Sequence, residues 1–105
     1  MAIVEISVAP LGTGEGGVSR YVAACVELVK ASGLNYELTP MGTVIEGEID
    51  ELFPLLQRMH EAPFGMAAQR VSTLIKLDDR RDGAAHDLKG KVAVVEDRMK
   101  THPNG

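Results

Sequence analysis

The feature that most constrains the fold of this chain is the short segment Pro40-Met41-Gly42, which separates two stretches with the alternation of β-strands. Proline presets φ and glycine tolerates positive φ, so the segment predicts a tight turn. A turn this short forces the flanking strands, Asn35 to Thr39 and Thr43 to Gly47, to pair antiparallel. The second strand runs directly into a helical pattern. The fold must therefore contain a β-hairpin that is followed at once by a helix.

The rest of the chain predicts two more strands and three helices. The strands, from Ala2 to Ala9 and from Val71 to Leu77, alternate between apolar and polar residues. Apolar residues at helical spacing predict the helices. The first helix has Ser19 as its N-cap and Gly33 just after its end, the second runs from about Ile49 to Glu61 with Asp50 as a cap, and the third runs from Asp87 to Lys100.

The order β-α-β-β-α-β-α is the ferredoxin-like α+β pattern βαββαβ with an additional C-terminal helix. In this topology strands one and three are central, strands two and four are edges, and the first two helices cover one sheet face. A chain of 105 residues is long enough for one such domain. We therefore expect a single domain over residues 1–105, with about 101–105 as a frayed tail.

The second sheet face is left uncovered, and its residues are of mixed character. They are Ile3, Glu5, Ser7, Glu37, Thr39, Val44, Glu46, Arg70, Ser72, Leu74 and Lys76. A face of this kind is either exposed to solvent or buried in a subunit interface. We expect a homo-oligomer, a homodimer or homotetramer formed through the sheet.

Charge and composition exclude several classes of protein. The net charge is −4 and no basic cluster is larger than Arg80-Arg81, so a nucleic-acid partner is not expected. The single cysteine, Cys25, excludes an intramolecular disulfide framework and fits a reducing compartment. No run of about 18 apolar residues is present, so no membrane partner is expected. The N-terminus shows no signal-peptide pattern, and a cytoplasmic protein is the default expectation.

The segment Gly12-Thr-Gly-Glu-Gly-Gly17 matches the G-x-G-x-x-G pattern of dinucleotide-binding proteins. The predicted antiparallel hairpin argues against this function, because a dinucleotide fold requires parallel strands. Glu15 would also repel a pyrophosphate. We therefore interpret the segment as a loop that leads into the first helix.

Thr43 and Glu46 are the polar residues of the third strand, which is predicted to be central. Glu46 fits two roles: a carboxylate that binds a small cationic or amidine-like ligand, or part of a solvated or subunit-facing surface with Arg70 and Lys76 as partners. The three histidines lack metal-ligand spacing, and no Ser/His/Asp or Cys/His set can be assembled. The residues therefore predict neither catalysis nor a metal site.

Four stretches of the chain resemble the small thiamine-binding-protein family, which is related to the YkoF-like thiamine and hydroxymethylpyrimidine binders. They are Ser7-Val-Ala-Pro10, Gly17-Val-Ser-Arg-Tyr-Val22, Pro40-Met-Gly-Thr-Val-Ile-Glu-Gly-Glu48, and Arg70-Val-Ser-Thr-Leu-Ile-Lys76 with Asp79-Arg-Arg-Asp82. The likeness extends from about Ala2 to Met99. The segment Met-Gly-Thr-x-x-Glu-Gly-Glu is its most specific part.

The resemblance implies a ferredoxin-like fold, homo-oligomers built through the sheets, and binding of thiamine or its pyrimidine half without catalysis. It implies no cofactor other than thiamine as the ligand. By position, it implies a pocket lined by Ser7, Thr43, Glu46 and Arg70, with Thr39 and Ser19 as secondary candidates. Two alternatives remain: a structural or regulatory homo-oligomer without a physiological ligand, and a small enzyme such as a dimeric α+β-barrel oxygenase.

Overall fold

A computed structural model describes residues 1–14, 17–83 and 86–101, and it has the predicted ferredoxin-like fold with an additional C-terminal helix. The elements are β1 (Ala2–Pro10), α1 (Ser19–Ser32), β2 (Tyr36–Thr39), β3 (Gly42–Gly47), α2 (Ile49–Glu61), a short 3-10 turn (Phe64–Met66), β4 (Val71–Asp79) and α3 (Leu88–Thr101). The prediction of a frayed tail falls mainly on residues 102–105, which lie outside the described residues.

The sheet has the order β2-β3-β1-β4, and every neighbouring pair is antiparallel. The predicted hairpin is confirmed, with Thr39 opposite Gly42. A Cβ atom at Gly42 would lie 2.8 Å from the carbonyl oxygen of Ile6. Glycine is required at the start of β3 because the backbone of β1 passes this close. The antiparallel sheet also rules out the dinucleotide fold that the glycine-rich segment resembled.

The core lies between one face of the sheet and the helices α1 and α2, and it is almost entirely aliphatic. Its buried members are Ala2, Val4, Ile6, Cys25, Val29, Ile45, Leu52, Leu55, Leu56 and Met59. The even-numbered residues of β1 and the odd-numbered residues of β3 point into this core, as strand alternation requires. The core thus fixes which face of each strand is turned toward the helices.

The helix ends were predicted only in part. Gly33 ends α1 at φ 76°, and its N–H donates to the carbonyl of Lys30. The predicted caps Ser19 and Asp50 are wrong, since the N-cap residues are Val18 and Glu48. Glu48 continues from β3 in an extended conformation, and its N–H donates to the carboxylate of Glu51 at 3.3 Å. The helix begins at Ile49 as predicted, and the cap lies two positions before Asp50.

The C-terminal helix α3 is anchored at its start and leaves its apolar residues exposed. His86 Nε2 lies 3.0 Å from the carbonyl oxygen of Asp78, and Lys91 Nζ donates to the Asp78 carboxylate at 2.8 Å. The apolar residues Val92, Val94, Val95 and Met99 are more than half exposed, as is Leu74 on the uncovered sheet face. In the described residues, no helix is long and apolar enough to span a bilayer.

Candidate functional site

A cavity of about 190 Å³ lies at one end of the sheet, where β1 continues past the start of β3. The last register pair between these strands is Ile6 with Thr43. Beyond it β1 runs on to Pro10, paired only with β4. The start of α1 and the tip of the β2–β3 hairpin close the resulting gap. Its apolar lining includes Val18, Val22, Cys25, Leu38 and Met59.

Thr43 is the most deeply buried polar side chain at this cavity, with 4% of its surface exposed. It pairs with Ile6 and therefore shares the helix-facing side of the sheet. Among the residues that the structure describes, its hydroxyl group has no hydrogen-bond partner within the protein. Its oxygen stays accessible from the cavity, because the one fully buried side-chain N or O atom without a partner among the described residues is His86 Nδ1. Thr43 can therefore offer both a donor and an acceptor to a molecule in the cavity.

Thr39 lines the cavity but its hydroxyl group is already engaged. The hydroxyl accepts hydrogen bonds from the N–H groups of Met41 at 3.3 Å and Gly42 at 3.1 Å. It also donates to the carbonyl of Gly42 at 2.9 Å. These three bonds hold the hairpin tip in its turn. Thr39 therefore shapes the rim of the cavity.

Two sulfur-containing side chains form part of the cavity wall. The thiol of Cys25 donates to the carbonyl of Met59 at 3.3 Å, and both residues line the cavity. Burial raises the pKa of the Cys25 thiol, so the thiol stays protonated at neutral pH. The helical pattern predicts Cys25 as a small core residue, which the structure confirms. Its position at the cavity depends on the packing of α1 against α2, and no sequence motif signals it.

Glu46 does not line this cavity. It lies on the uncovered sheet face, where one carboxylate oxygen accepts a hydrogen bond from Asn35 Nδ2 at 2.6 Å. The other oxygen accepts one from the N–H of Leu88 at 2.8 Å, at the start of α3. The partners suggested by the strand pattern were Arg70 and Lys76. The observed register places Lys76 opposite Glu5 instead.

The remaining predicted residues are divided between the cavity and the surface. Ser7 is half-buried and lines the cavity from β1. Arg70 is exposed just before β4, and Ser19 is exposed at the first position of α1. The structure thus brings Ser7, Thr39 and Thr43 together and separates them from Glu46, Arg70 and Ser19. A contact with ligand stays a prediction for all six.

The cavity carries no charged side chain among the described residues that line it. Its polar groups are hydroxyls and main-chain atoms, which suit a neutral ligand with hydrogen-bonding groups. Within the described part of the chain, no three His, Cys, Asp or Glu side chains are grouped so that they could hold a metal ion. The described residues of the lining offer hydrogen bonds and apolar contact to a ligand.

Comparisons with known proteins identify the family of this chain. The model of the thiamine-binding protein family matches residues 4–96. The UPF0045 protein YqgV of Bacillus subtilis is 46% identical over 104 residues, which cover 95% of this chain and 99% of that protein. The name of the matched family refers to the binding of thiamine and to no reaction.

Two solved structures share the fold. Protein MJ1052 of Methanocaldococcus jannaschii superposes with a TM-score of 0.82 at 32% identity, over 90% of this chain and 95% of that one. Protein TM0486 of Thermotoga maritima, whose suggested role is thiamine biosynthesis or salvage, has a TM-score of 0.74 at 22% identity, over 90% and 97%. The match of the family model over most of the chain shows that this chain belongs to the thiamine-binding protein family.

Proposed function

We propose that this chain binds thiamine or its hydroxymethylpyrimidine moiety without transforming it, as a carrier, buffer or sensor. The observation that carries the proposal is the small apolar cavity, at whose wall the hydroxyl of Thr43 is accessible and makes no hydrogen bond to the described residues. A neutral ring with hydrogen-bonding groups would satisfy that hydroxyl and displace water from the apolar lining. Membership of the thiamine-binding protein family supports the choice of ligand.

The size of the cavity favours one ring over two. Sites for drug-sized ligands typically enclose roughly 300–1,000 Å³, whereas this cavity encloses about 190 Å³. The uncharged lining favours the neutral pyrimidine over the permanently cationic thiazolium ring. We therefore place the pyrimidine inside and the thiazolium of thiamine at the mouth, beside the exposed hairpin tip at Met41.

Parallel calorimetric titrations test the proposal. The ligands are hydroxymethylpyrimidine, thiamine, thiamine pyrophosphate and the isolated thiazole half of thiamine. We expect saturable binding of the first two and no gain from the pyrophosphate, because no Lys or Arg lies among the described residues that line the cavity. We expect no binding of the thiazole half. If none of the four ligands binds at millimolar concentration, the proposed function is wrong.

A structural or regulatory homo-oligomer is the second candidate, and a specific observation supports it. Val92, Val95 and Met99 recur along α3 and are 51%, 58% and 66% exposed, and Leu74 on the uncovered sheet face is 73% exposed. Apolar groups clustered on a surface are typical of an interface. We propose that a second copy of the chain covers them. Sedimentation that shows a monomer at micromolar concentration would contradict this.

A further inference from the structure

The hydrogen bonds of the sheet determine which way each main-chain group of β1 points. In an antiparallel pair the N–H and C=O of one residue point to the same neighbour, and successive residues alternate between the two sides. The N–H of Glu46 donates to the carbonyl of Asn35 at 3.0 Å, on the β2 side. The odd-numbered residues of β3, including Thr43, therefore direct their main-chain groups toward β1. Ile6, which pairs with Thr43, directs its main-chain N–H and C=O toward β3.

The same alternation determines the direction of the main-chain N–H and C=O groups of Val8. The N–H of Leu11 donates to the carbonyl of Arg70 at 2.8 Å, so odd-numbered residues in this part of β1 turn toward β4. Val8, two residues after Ile6, turns its N–H and C=O to the opposite side. On that side β3 has not yet begun, because its first residue is Gly42, and Val8 lines the cavity. Among the described residues, no main-chain or side-chain group outside the β1–β4 pair bonds to Val8.

Unpaired main-chain groups inside a protein are rare, because an N–H or C=O removed from water needs a partner. The N–H and the C=O of Val8 lie side by side, in the arrangement that would pair with a neighbouring strand. The complementary ligand is a planar ring with an acceptor nitrogen next to an amino group. The 4-amino group and the adjacent ring nitrogen of hydroxymethylpyrimidine form such an edge.

We propose that the main chain of Val8 recognises the amino edge of an aminopyrimidine in the place that β3 would occupy if it began one residue pair earlier. The amino group donates to the carbonyl of Val8, and the N–H of Val8 donates to the ring nitrogen. This inference rests on the proposed function. It adds that the main chain of Val8 makes the site specific for ligands with the 4-amino group. It also accounts for recognition without a charged side chain in the cavity.

Two measurements test the inference. The first compares hydroxymethylpyrimidine with 5-hydroxymethyl-2-methylpyrimidine, in which a hydrogen replaces the amino group. We expect the analogue to bind about tenfold more weakly or worse, because the carbonyl of Val8 is left buried and unpaired. The second compares Val8→Pro with Val8→Ala. Proline removes an N–H that takes no part in the pairing with β4, although it also fixes φ and restricts Ser7. Alanine keeps the main chain and shortens the side chain.

The outcomes separate this inference from the proposed function. Support is a loss of about tenfold for the analogue, with Val8→Pro weakened more than Val8→Ala. If the amino and des-amino compounds bind equally well, recognition by Val8 is wrong while pyrimidine binding stands. If neither binds, and thiamine does not bind either, the proposed function itself is wrong. The comparison of the two compounds uses the unaltered protein, so it tests recognition by Val8 even if the Val8→Pro variant does not fold.

Discussion

The carboxylate of Glu46 accepts a hydrogen bond from the N–H of Leu88 at 2.8 Å, so a central strand of the sheet caps the C-terminal helix. The first N–H groups of a helix have no partner within it, and a carboxylate satisfies one of them while it complements the helix dipole. Asn35 holds the second carboxylate oxygen at 2.6 Å. The conspicuous acid of the most specific motif thus has a structural role at the start of α3.

Replacing Glu46 by alanine should therefore loosen α3. We expect the free energy of unfolding to fall by about 1–2 kcal/mol, because a helix cap and a charge-assisted hydrogen bond are lost. Hydrogen exchange of the first amides of α3 should accelerate. Glu37→Ala is the control, since Glu37 is exposed on the neighbouring strand β2. Affinity for hydroxymethylpyrimidine should not change. A tenfold loss of affinity with unaltered exchange would restore Glu46 as a ligand-binding residue.

The substitution Thr43→Val should lower the affinity for the ligand without lowering the stability of the protein. Valine keeps the shape of threonine and removes a hydroxyl that lines the cavity and has no hydrogen bond among the described residues. We expect thermal stability to stay the same or rise, while the affinity for hydroxymethylpyrimidine falls about tenfold. The matched variant Thr39→Val removes a hydroxyl with three hydrogen bonds. It should destabilise the protein by about 1 kcal/mol. Equal losses of stability in the two variants would contradict the assignment.

Gly42→Ala should damage the hairpin and the cavity together. The added Cβ atom would lie 2.8 Å from the carbonyl oxygen of Ile6, and a backbone atom cannot move aside as a flexible side chain can. We expect a loss of about 1–3 kcal/mol, measured by denaturant unfolding. Gly65→Ala is the control, because a Cβ atom there meets no atom within 4 Å. Similar stability of the two variants would show that β1 does not pass so close to Gly42.

The ion pair between Asp78 and Lys91 should make the docking of α3 depend on acid. The hydrogen bond from Lys91 lowers the pKa of the Asp78 carboxyl below its ordinary value of 3.8. A lowered pKa in the folded state gives a stabilisation that is complete above the ordinary value and is lost as pH falls through the lowered one. Exchange at the start of α3 should differ between wild type and Asp78→Asn at pH 6, and the difference should vanish in acid, once the pH falls below the lowered pKa of Asp78. A difference that persists there would contradict this.

The sequence predicted local features well and long-range contacts poorly. The turn at Pro40–Gly42 fixed the hairpin, and the bounds of α2 followed from its apolar spacing. The partner of Glu46 was not predicted, because Leu88 lies 42 residues away along the chain. Val8 carries no signal of its own, since its lack of a main-chain partner among the described residues depends on where β3 begins relative to β1. The exposed residues Val92, Val95 and Met99 of α3 recur with the period of a packed helix. Periodicity alone does not identify the surface against which such a helix packs.

Intermolecular nuclear Overhauser effects test the central claim most directly. The protein is labelled at methyl groups and saturated with hydroxymethylpyrimidine, and contacts are measured from the 2-methyl group of the ligand. We expect contacts to methyl groups that line the cavity, among them Val22, Met59 and Thr43. Contacts to Val92 or Val95 on α3 instead, or saturable binding without any contact to the cavity methyl groups, would contradict the account.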